Sequence, residues 1–398
     1  MNLLEGQVSI LPDVDIRFWD GALGRIPSTG TGVFITIGLK TAEGEAEIGK
    51  VYRLSLPSDP DTPIKLFGNG EYANKLLDAA SCGANVIFAA AANSDSTDDI
   101  LSAVEEAVEQ SLVNGDAIFE GIIVMVPVDK STAAAIGSYL TSLVSRHIYV
   151  WALLEARPKT KGEKMDDYVT NLISEWEGFI HPRVAASAFC ATVTNLKGNT
   201  GFRNAIGSLT GLLARAKVSQ DIGEVGAFPI PNIVSLPEDL KYSHIYALDQ
   251  ARFITGRTYD GYAGYYVTNP NMMMPETSDY AFIYARRVAD KAAKITRKTI
   301  LPRLKGEVLP PANDNPESPT KPTKSPTIQE LKGLIEHALH YGMYKEGELY
   351  GYRVIIPEDQ DLWATRKLKI KTKLAPTPHM DWITVDQSFE NPFLTIGG

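Results

Sequence analysis

Between Ala84 and about Lys217 the chain alternates short, almost wholly apolar runs with longer amphipathic ones, and this alternation restricts the fold more than any other feature. NVIFAAAAN (85–93) precedes an amphipathic stretch at 97–113. GIIVMVPV (121–128) precedes 131–146, and IYVWALLEA (148–156) precedes 165–179. A fourth run, VAASAFCAT, precedes 202–217. Runs this short and this apolar suit strands buried on both faces of a sheet, and helix-length connections make those strands mostly parallel. The expected centre is an α/β core, a mixed and mostly parallel sheet with flanking helices. Ahead of it, GVFITIGLK and KVYRLSL read as an antiparallel element leading into a helix at 71–81.

Behind the core the pattern changes to α+β. Residues 252–277 hold Tyr259, Tyr262, Tyr265 and Tyr266 among Gly256, Gly261 and Gly264, an irregular or strand-like surface. Residues 278–300 lack Gly and Pro and predict one helix, with Ser278 and Asp279 in its first turn and Pro302 at its end. The segment 305–327 carries six prolines and almost no large apolar side chain, the composition of an exposed, flexible Pro-rich loop. A helix is expected over 327–344, followed by three strand-like stretches, YRVIIPE, RKLKIKTKL and MDWITVDQSF.

Charge excludes one class of function. The net charge of −9 is the wrong sign for a protein that coats nucleic acid. Against that background, residues 278–305 hold eight Lys/Arg and two Asp, a local reversal. In 366–374, Lys367, Lys369, Lys371 and Lys373 alternate with Leu368, Ile370, Thr372 and Leu374, a strand with one cationic face of the kind that guards a sheet edge. Cys82 and Cys190 lie in Ala/Gly-rich apolar surroundings and read as buried reduced thiols. No export signal and no membrane span are expected, because no apolar run approaches about 18 residues.

No constellation for catalysis assembles. GEAEIGKV (44–51) has phosphate-loop spacing, but Val51 stands where a hydroxyl belongs and Glu43, Glu45 and Glu47 crowd the would-be anion site. FGNGEY (67–72) reads as a tight turn opening a helix. His337 and His340 form at most half a metal site, and Asp13/Asp15 and Asp359/Asp361 lack the rest of a calcium loop. No G-x-S-x-G and no C-x-x-C occurs. Catalytic residues, cofactors and metals are therefore expected to be none.

The ends are unusually apolar. Leu3, Leu4, Val8, Ile10 and Leu11 at the start, and Trp382, Ile383, Val385, Phe389, Phe393 and Leu394 at the end, are too hydrophobic for free tails and too short for domains. In WITVDQSF alternate residues divide into two faces, so a strand is expected there. These ends either pack on the parent domain or add as strands to a neighbouring subunit.

Several blocks resemble contractile tail sheath proteins of phages and phage-like injection particles: GTGVFITIG, LFGNGEYANKLLDAASCGANVIFAAA, ALDQARFITGRTYDGYAGYYV, TSDYAFIYARRVADKA, and the closing YRVIIPE with LKIKTKLAPTPHMDWITV. Their order along the chain carries the likeness. The resemblance implies a compact sheath subunit stacked in six-subunit rings around an inner tail tube. It implies contraction that drives the tube through a target envelope, and terminal β arms that exchange strands between subunits. The implied partners are other copies of the chain, the tube protein, and baseplate and terminator or neck proteins at the sheath ends, with assembly in a bacterial cytoplasm. The implied division is an N-terminal arm at 1–20, an α/β domain at 21–240, a C-terminal α+β sheath domain at 241–380 and a C-terminal arm at 381–398. The strand arms would use Val8, Ile10, Leu11, Trp382, Ile383, Val385 and Phe389. The basic helix, through Arg286, Arg287, Lys291 and Lys294, would face the tube. The competing expectation is an α/β enzyme or binding protein for a small molecule, with its site at the carboxyl ends of the parallel strands.

Overall fold

The computed structural model describes residues 32–113, 119–311, 315, 317 and 320–388. In chain order the first elements are β1 (Phe34–Leu39), β2 (Tyr52–Ser55), α1 (Thr62–Phe67), α2 (Glu71–Ser81), β3 (Val86–Ala92), α3 (Thr97–Val113), β4 (Gly121–Val128) and α4 (Lys130–Ser145). There follow β5 (Trp151–Ala156), α5 (Met165–Glu175), β6 (Val184–Ser187), β7 (Cys190–Thr194), β8 (Thr200–Asn204), α6 (Ile206–Arg215), β9 (Ile233–Ser235), α7 (Tyr242–Gln250) and β10 (Phe253–Ile254). The last are β11 (Gly256–Tyr259), β12 (Tyr262–Val267), α8 (Ile283–Ile300), α9 (Pro326–Leu339), β13 (Leu349–Ile355), α10 (Leu362–Thr365) and β14 (Lys371–Pro376).

The main sheet has seven strands in the order β10-β6-β5-β4-β1-β3-β2, parallel except for β2. The apolar runs earn this position by burying both faces. In β5, Trp151 and Leu153 enter one core while Ala152 and Leu154 enter the other; in β4, Ile123 and Met125 oppose Ile122 and Val124. α2 and α6 cover the first face, and α3, α4 and α5 the second. Where β4 meets β5 the register shifts between Val124 and Pro127, a bulge that accommodates a residue with no N–H to donate. α4 begins at Asp129, whose carboxylate accepts from the Thr132 N–H at 2.8 Å, an N-cap contributing about 1 kcal/mol.

Several expectations are corrected. β1 and β2 do not pair with each other: β1 is buried from Phe34 to Gly38 and sits between β4 and β3, while β2 runs antiparallel to β3 at the edge. VAASAFCAT is two strands in two sheets, because the chain leaves the main sheet after Ser187 and Cys190–Thr194 pairs with β8 and β9. The segment 202–217 opens as β8 and becomes α6 only at Ile206. The stretch 327–344 is α9 plus one π-helical turn, His340–Tyr344.

α2 and α6 approach closely because glycines face α2. A Cβ at Gly207 would lie 2.1 Å from the Lys75 carbonyl oxygen, and one at Gly211 2.3 Å from that of Ala79. A third core joins α8, α9 and β13: Val288, Ala292 and Ile295 pack with Ile335, Leu339, Met343, Leu349 and Val354. β13 pairs antiparallel with β14, and these two form a separate sheet. Cys82 and Cys190 are free and buried, and burial pushes their thiols up, to about 12 and about 11.

Candidate functional site

α8 is the helix with the cationic reversal. Phe282 is extended (φ −127°, ψ 150°), so the helix starts at Ile283 and not at Ser278, and 278–281 form a turn closed by Ala281 N–H donating to the Ser278 carbonyl at 3.0 Å. Arg297 and Lys298 in its last turn suit the helix dipole. Its apolar stripe spans two cores: Ile283 enters the one beneath the main sheet, and Val288, Ala292 and Ile295 the one shared with α9.

The four cations expected to face a tube point inward. Arg287 is 1% exposed and grips Glu120 with two nitrogens, one of them at 3.1 Å. Its guanidinium also donates to the carbonyls of Leu213 (3.1 Å) and Ala216 (3.2 Å), which closes the carboxyl end of α6. Glu120 further accepts from the Gly32 N–H at 2.7 Å. Burial pushes the Glu120 carboxyl up, yet the Arg287 guanidinium outweighs it and holds the group below its ordinary range. Asp290, 2% exposed, is shared by Arg183 (2.8 and 3.0 Å) and Arg286 (2.9 Å), and Arg286 also lies 4.2 Å over the Tyr280 ring. Lys291 binds both oxygens of Glu348 at 2.6–2.7 Å. Lys294 donates to the Phe119 carbonyl at 2.8 Å, and burial lowers its pKa.

The tube-facing row is therefore corrected. Arg287, Lys291 and Lys294 clamp α8 to the loop before β4, to the carboxyl end of α6 and to the start of β13, while Arg286 braces Asp290 within α8, which Arg183 ties to the start of β6. Desolvated cations this close to carboxylates are committed to those partners, since removing one partner strands the other charge. Sequence reading missed Glu120, Arg183 and Glu348, though Glu120 stands as a lone charge at the head of an apolar strand.

At the carboxyl end of β5 charged side chains are buried against one another. Lys75 on α2 reaches Glu155 at the end of β5 (2.7 and 2.8 Å) and the Met125 carbonyl of β4 (3.2 Å), and both side chains are 1% exposed. Beside it, Arg203 holds Asp78 through two nitrogens at 2.6 and 2.7 Å. The Lys75–Glu155 pair lies at the carboxyl end of β5, where the competing reading expected its site. Other candidates resolve as packing. His337 and His340 stand against Tyr341 and Tyr344, with ring centroids 4.5 and 5.2 Å apart, and Asp361 caps α10. Residues 44–51 form a loop between strands, where a Cβ at Gly44 would strike the Leu66 carbonyl at 2.7 Å. Asp13 and Asp15 lie outside the described residues, among which no group of three or more His, Cys, Asp or Glu could hold a metal ion.

The surface feature that stands out is the C-terminal end. From Asp381 to Ser388 every residue is exposed and none is in a strand; Trp382 is 91% and Ile383 75% exposed. The expected strand is not formed within the subunit. Val8, Ile10, Leu11 and Phe389 lie outside the described residues. The root of this segment is fixed: the His379 ring sits 4.3 Å from that of Tyr284 on α8. Near it, burial pushes the Asp221 carboxyl up to about 6, with the Gly223 N–H and His379 opposing and Asp381 reinforcing.

Comparison with known proteins places this architecture. Family models described as DUF2586, N-terminal domain, and DUF2586, C-terminal domain, match residues 11–271 and 279–394. No curated protein matches by sequence. Among solved structures, the chain is similar to an extracellular contractile injection system, PVC sheath complex in the contracted state (TM-score 0.67, 11% identity, 97% of this chain and 99% of that one). It is also similar to a chain of the anti-feeding prophage baseplate (0.64, 14%, 96% and 100%) and to a sheath tail protein from Desulfitobacterium hafniense (0.58, 10%, 92% and 97%). The fold is that of contractile sheath proteins, over nearly the whole chain.

Proposed function

The chain belongs to the DUF2586 family, and from that premise we propose that it is the structural subunit of a contractile tail sheath. It polymerises helically around an inner tube and contracts to drive that tube through a target envelope. The observation that carries this reading is mutual coverage: chain and sheath neighbours are coextensive, at 96–97% of this chain and 99–100% of three injection-particle chains. The buried Lys75–Glu155 pair supports it further, since it lies at the carboxyl end of β5, where the competing small-molecule reading expected its site.

A sheath needs contacts that do not close on themselves, so that one subunit's surface meets a different surface of the next and a helix results. It also needs linkage that survives reorientation between an extended and a contracted arrangement. The α8 clamps give a body that can move as a unit. The apolar ends give the linkage, as strands added to neighbouring subunits. The partners are further copies in stacked six-subunit rings, the tube protein, and baseplate and terminator or neck proteins. The protein is a particle component assembled in a bacterial cytoplasm. Among the described residues, no helix is long and apolar enough to cross a membrane.

Sedimentation velocity of the purified chain tests the reading. Large assemblies growing with concentration are expected; a single small species at every concentration would refute it.

A further inference from the structure

The Tyr-rich hairpin β11–β12 and the outer side of α7 build one surface around Arg257. In the hairpin Arg257 stands opposite Tyr266, and Tyr259 opposite Tyr262. The Arg257 guanidinium lies 4.2 Å from the centre of the Tyr259 ring and 5.6 Å from that of Tyr242, so strand and helix hold it between them. Tyr246 follows Tyr242 by one turn on the same side of α7. Tyr242, Tyr246 and Tyr262 are each more than half exposed.

Two observations give the chemistry of an occupant. First, Arg257 makes neither hydrogen bond nor ion pair among the described residues, and its Nε is buried without a partner. Aromatic rings orient a guanidinium but place no acceptor in its plane, so its donors are aimed and unsatisfied. Asp166, the acid that faces α7, is engaged by His244 at 2.7 Å. Secondly, the hydroxyls of Tyr242, Tyr246 and Tyr262 make no hydrogen bond among the described residues. A fixed cation ringed by free hydroxyls suits carboxylates, and arginine with tyrosine is the composition of binding hot spots.

The chain itself carries the complement. α3 exposes Asp98 and Glu105 two turns apart on one side, and among the described residues neither has a hydrogen bond or an ion pair. α3 packs on β1 and β3, whereas the patch adjoins β10 at the opposite edge of the main sheet. β10 and β3 are five strand spacings apart, roughly 24 Å, so the two surfaces face different neighbours and not each other. Complementary surfaces at opposite edges make a head-to-tail contact that repeats from copy to copy. We propose that the Arg257 patch is a docking surface for a second copy of this chain, receiving the carboxylates of Asp98 and Glu105 on that copy's α3. The proposal deepens the sheath reading and rests on it: it names a contact between folded bodies, separate from the terminal segments, that sets how neighbouring subunits are oriented.

Charge reversal tests it. Arg257→Glu reverses the patch, and Asp98→Lys with Glu105→Lys reverses the α3 face. Tyr246→Glu puts a negative charge in the patch at an exposed position and leaves the half-buried arginine in place. Circular dichroism identifies the variants that fold. Each folded variant alone should lower the pelleted polymer at least about tenfold. Combining either patch change with both α3 changes in one chain should restore it, because every copy then meets a complementary neighbour. Wild-type pelleting by a folded patch variant, the result expected if the patch seats a different protein, would overturn the assignment. Folded combined variants that stay unassembled would overturn it too. Failure of the wild-type chain to polymerise would instead refute the sheath reading.

Discussion

Arg287 in α8 and Glu120 at the head of β4, 167 residues apart in the chain, form a buried bidentate pair that fastens the last third of the molecule to the central sheet. Removing one partner leaves a desolvated charge. Arg287→Met is expected to cost about 3–5 kcal/mol, whereas pairing it with Glu120→Leu should recover part of that loss. Urea denaturation at neutral pH reads both. The Glu120 carboxyl lies below its ordinary range, so its contribution is present above the unfolded value of 4.5 and is lost as pH falls through the folded value. Acid should therefore destabilise the wild type more than the Arg287→Met, Glu120→Leu pair.

Asp221 has the opposite sign. Its folded value, about 6, exceeds the unfolded 3.8, so ionising it costs stability as pH rises between the two. Asp221→Asn should stabilise the subunit at pH 7–8 by an amount on the order of 1–3 kcal/mol, and the gain should vanish near pH 4. Thermal denaturation across that range checks it; equal stability at pH 8 would show that the site does not penalise the charge.

Gly211→Ala tests the close packing of α2 on α6. In an unconstrained helix interior this change gains up to about 1 kcal/mol. Here the new methyl would sit 2.3 Å from the Ala79 carbonyl oxygen, so a loss of about 1–3 kcal/mol is expected. The sign of the shift in melting temperature decides.

Much of the fold was legible in the sequence, and the misses share a cause. The apolar runs that became β3, β4 and β5, and the bounds of α2 and α3, follow from periodicity and breakers, which act locally. β1 was misplaced because an apolar run says that it is buried but not between which strands. The cations of α8 were misread for the same reason: Lys and Arg in a helix signal a solvated face unless their carboxylate partners are known, and Glu120, Asp290, Arg183 and Glu348 come together only in three dimensions. The C-terminal strand expectation describes a propensity of single residues, which does not say which edge, in which chain, a strand would join.

On the proposed reading the terminal segments would carry linkage and not stability. Deleting 381–398 should leave the melting temperature within a few degrees, since residues 381–388 are exposed, while abolishing polymerisation. Deleting 1–11 should also prevent polymerisation without unfolding the subunit. Calorimetry with sedimentation checks both; polymers of normal yield from either truncation would show that the ends are not the joints.

Negative-stain electron microscopy of the purified full chain tests the central claim most directly. The account predicts rings and hollow tubes with sixfold symmetry, whose lumen is wide enough for an inner tube. A field of uniform small particles at all concentrations, with no rings and no tubes, would contradict it.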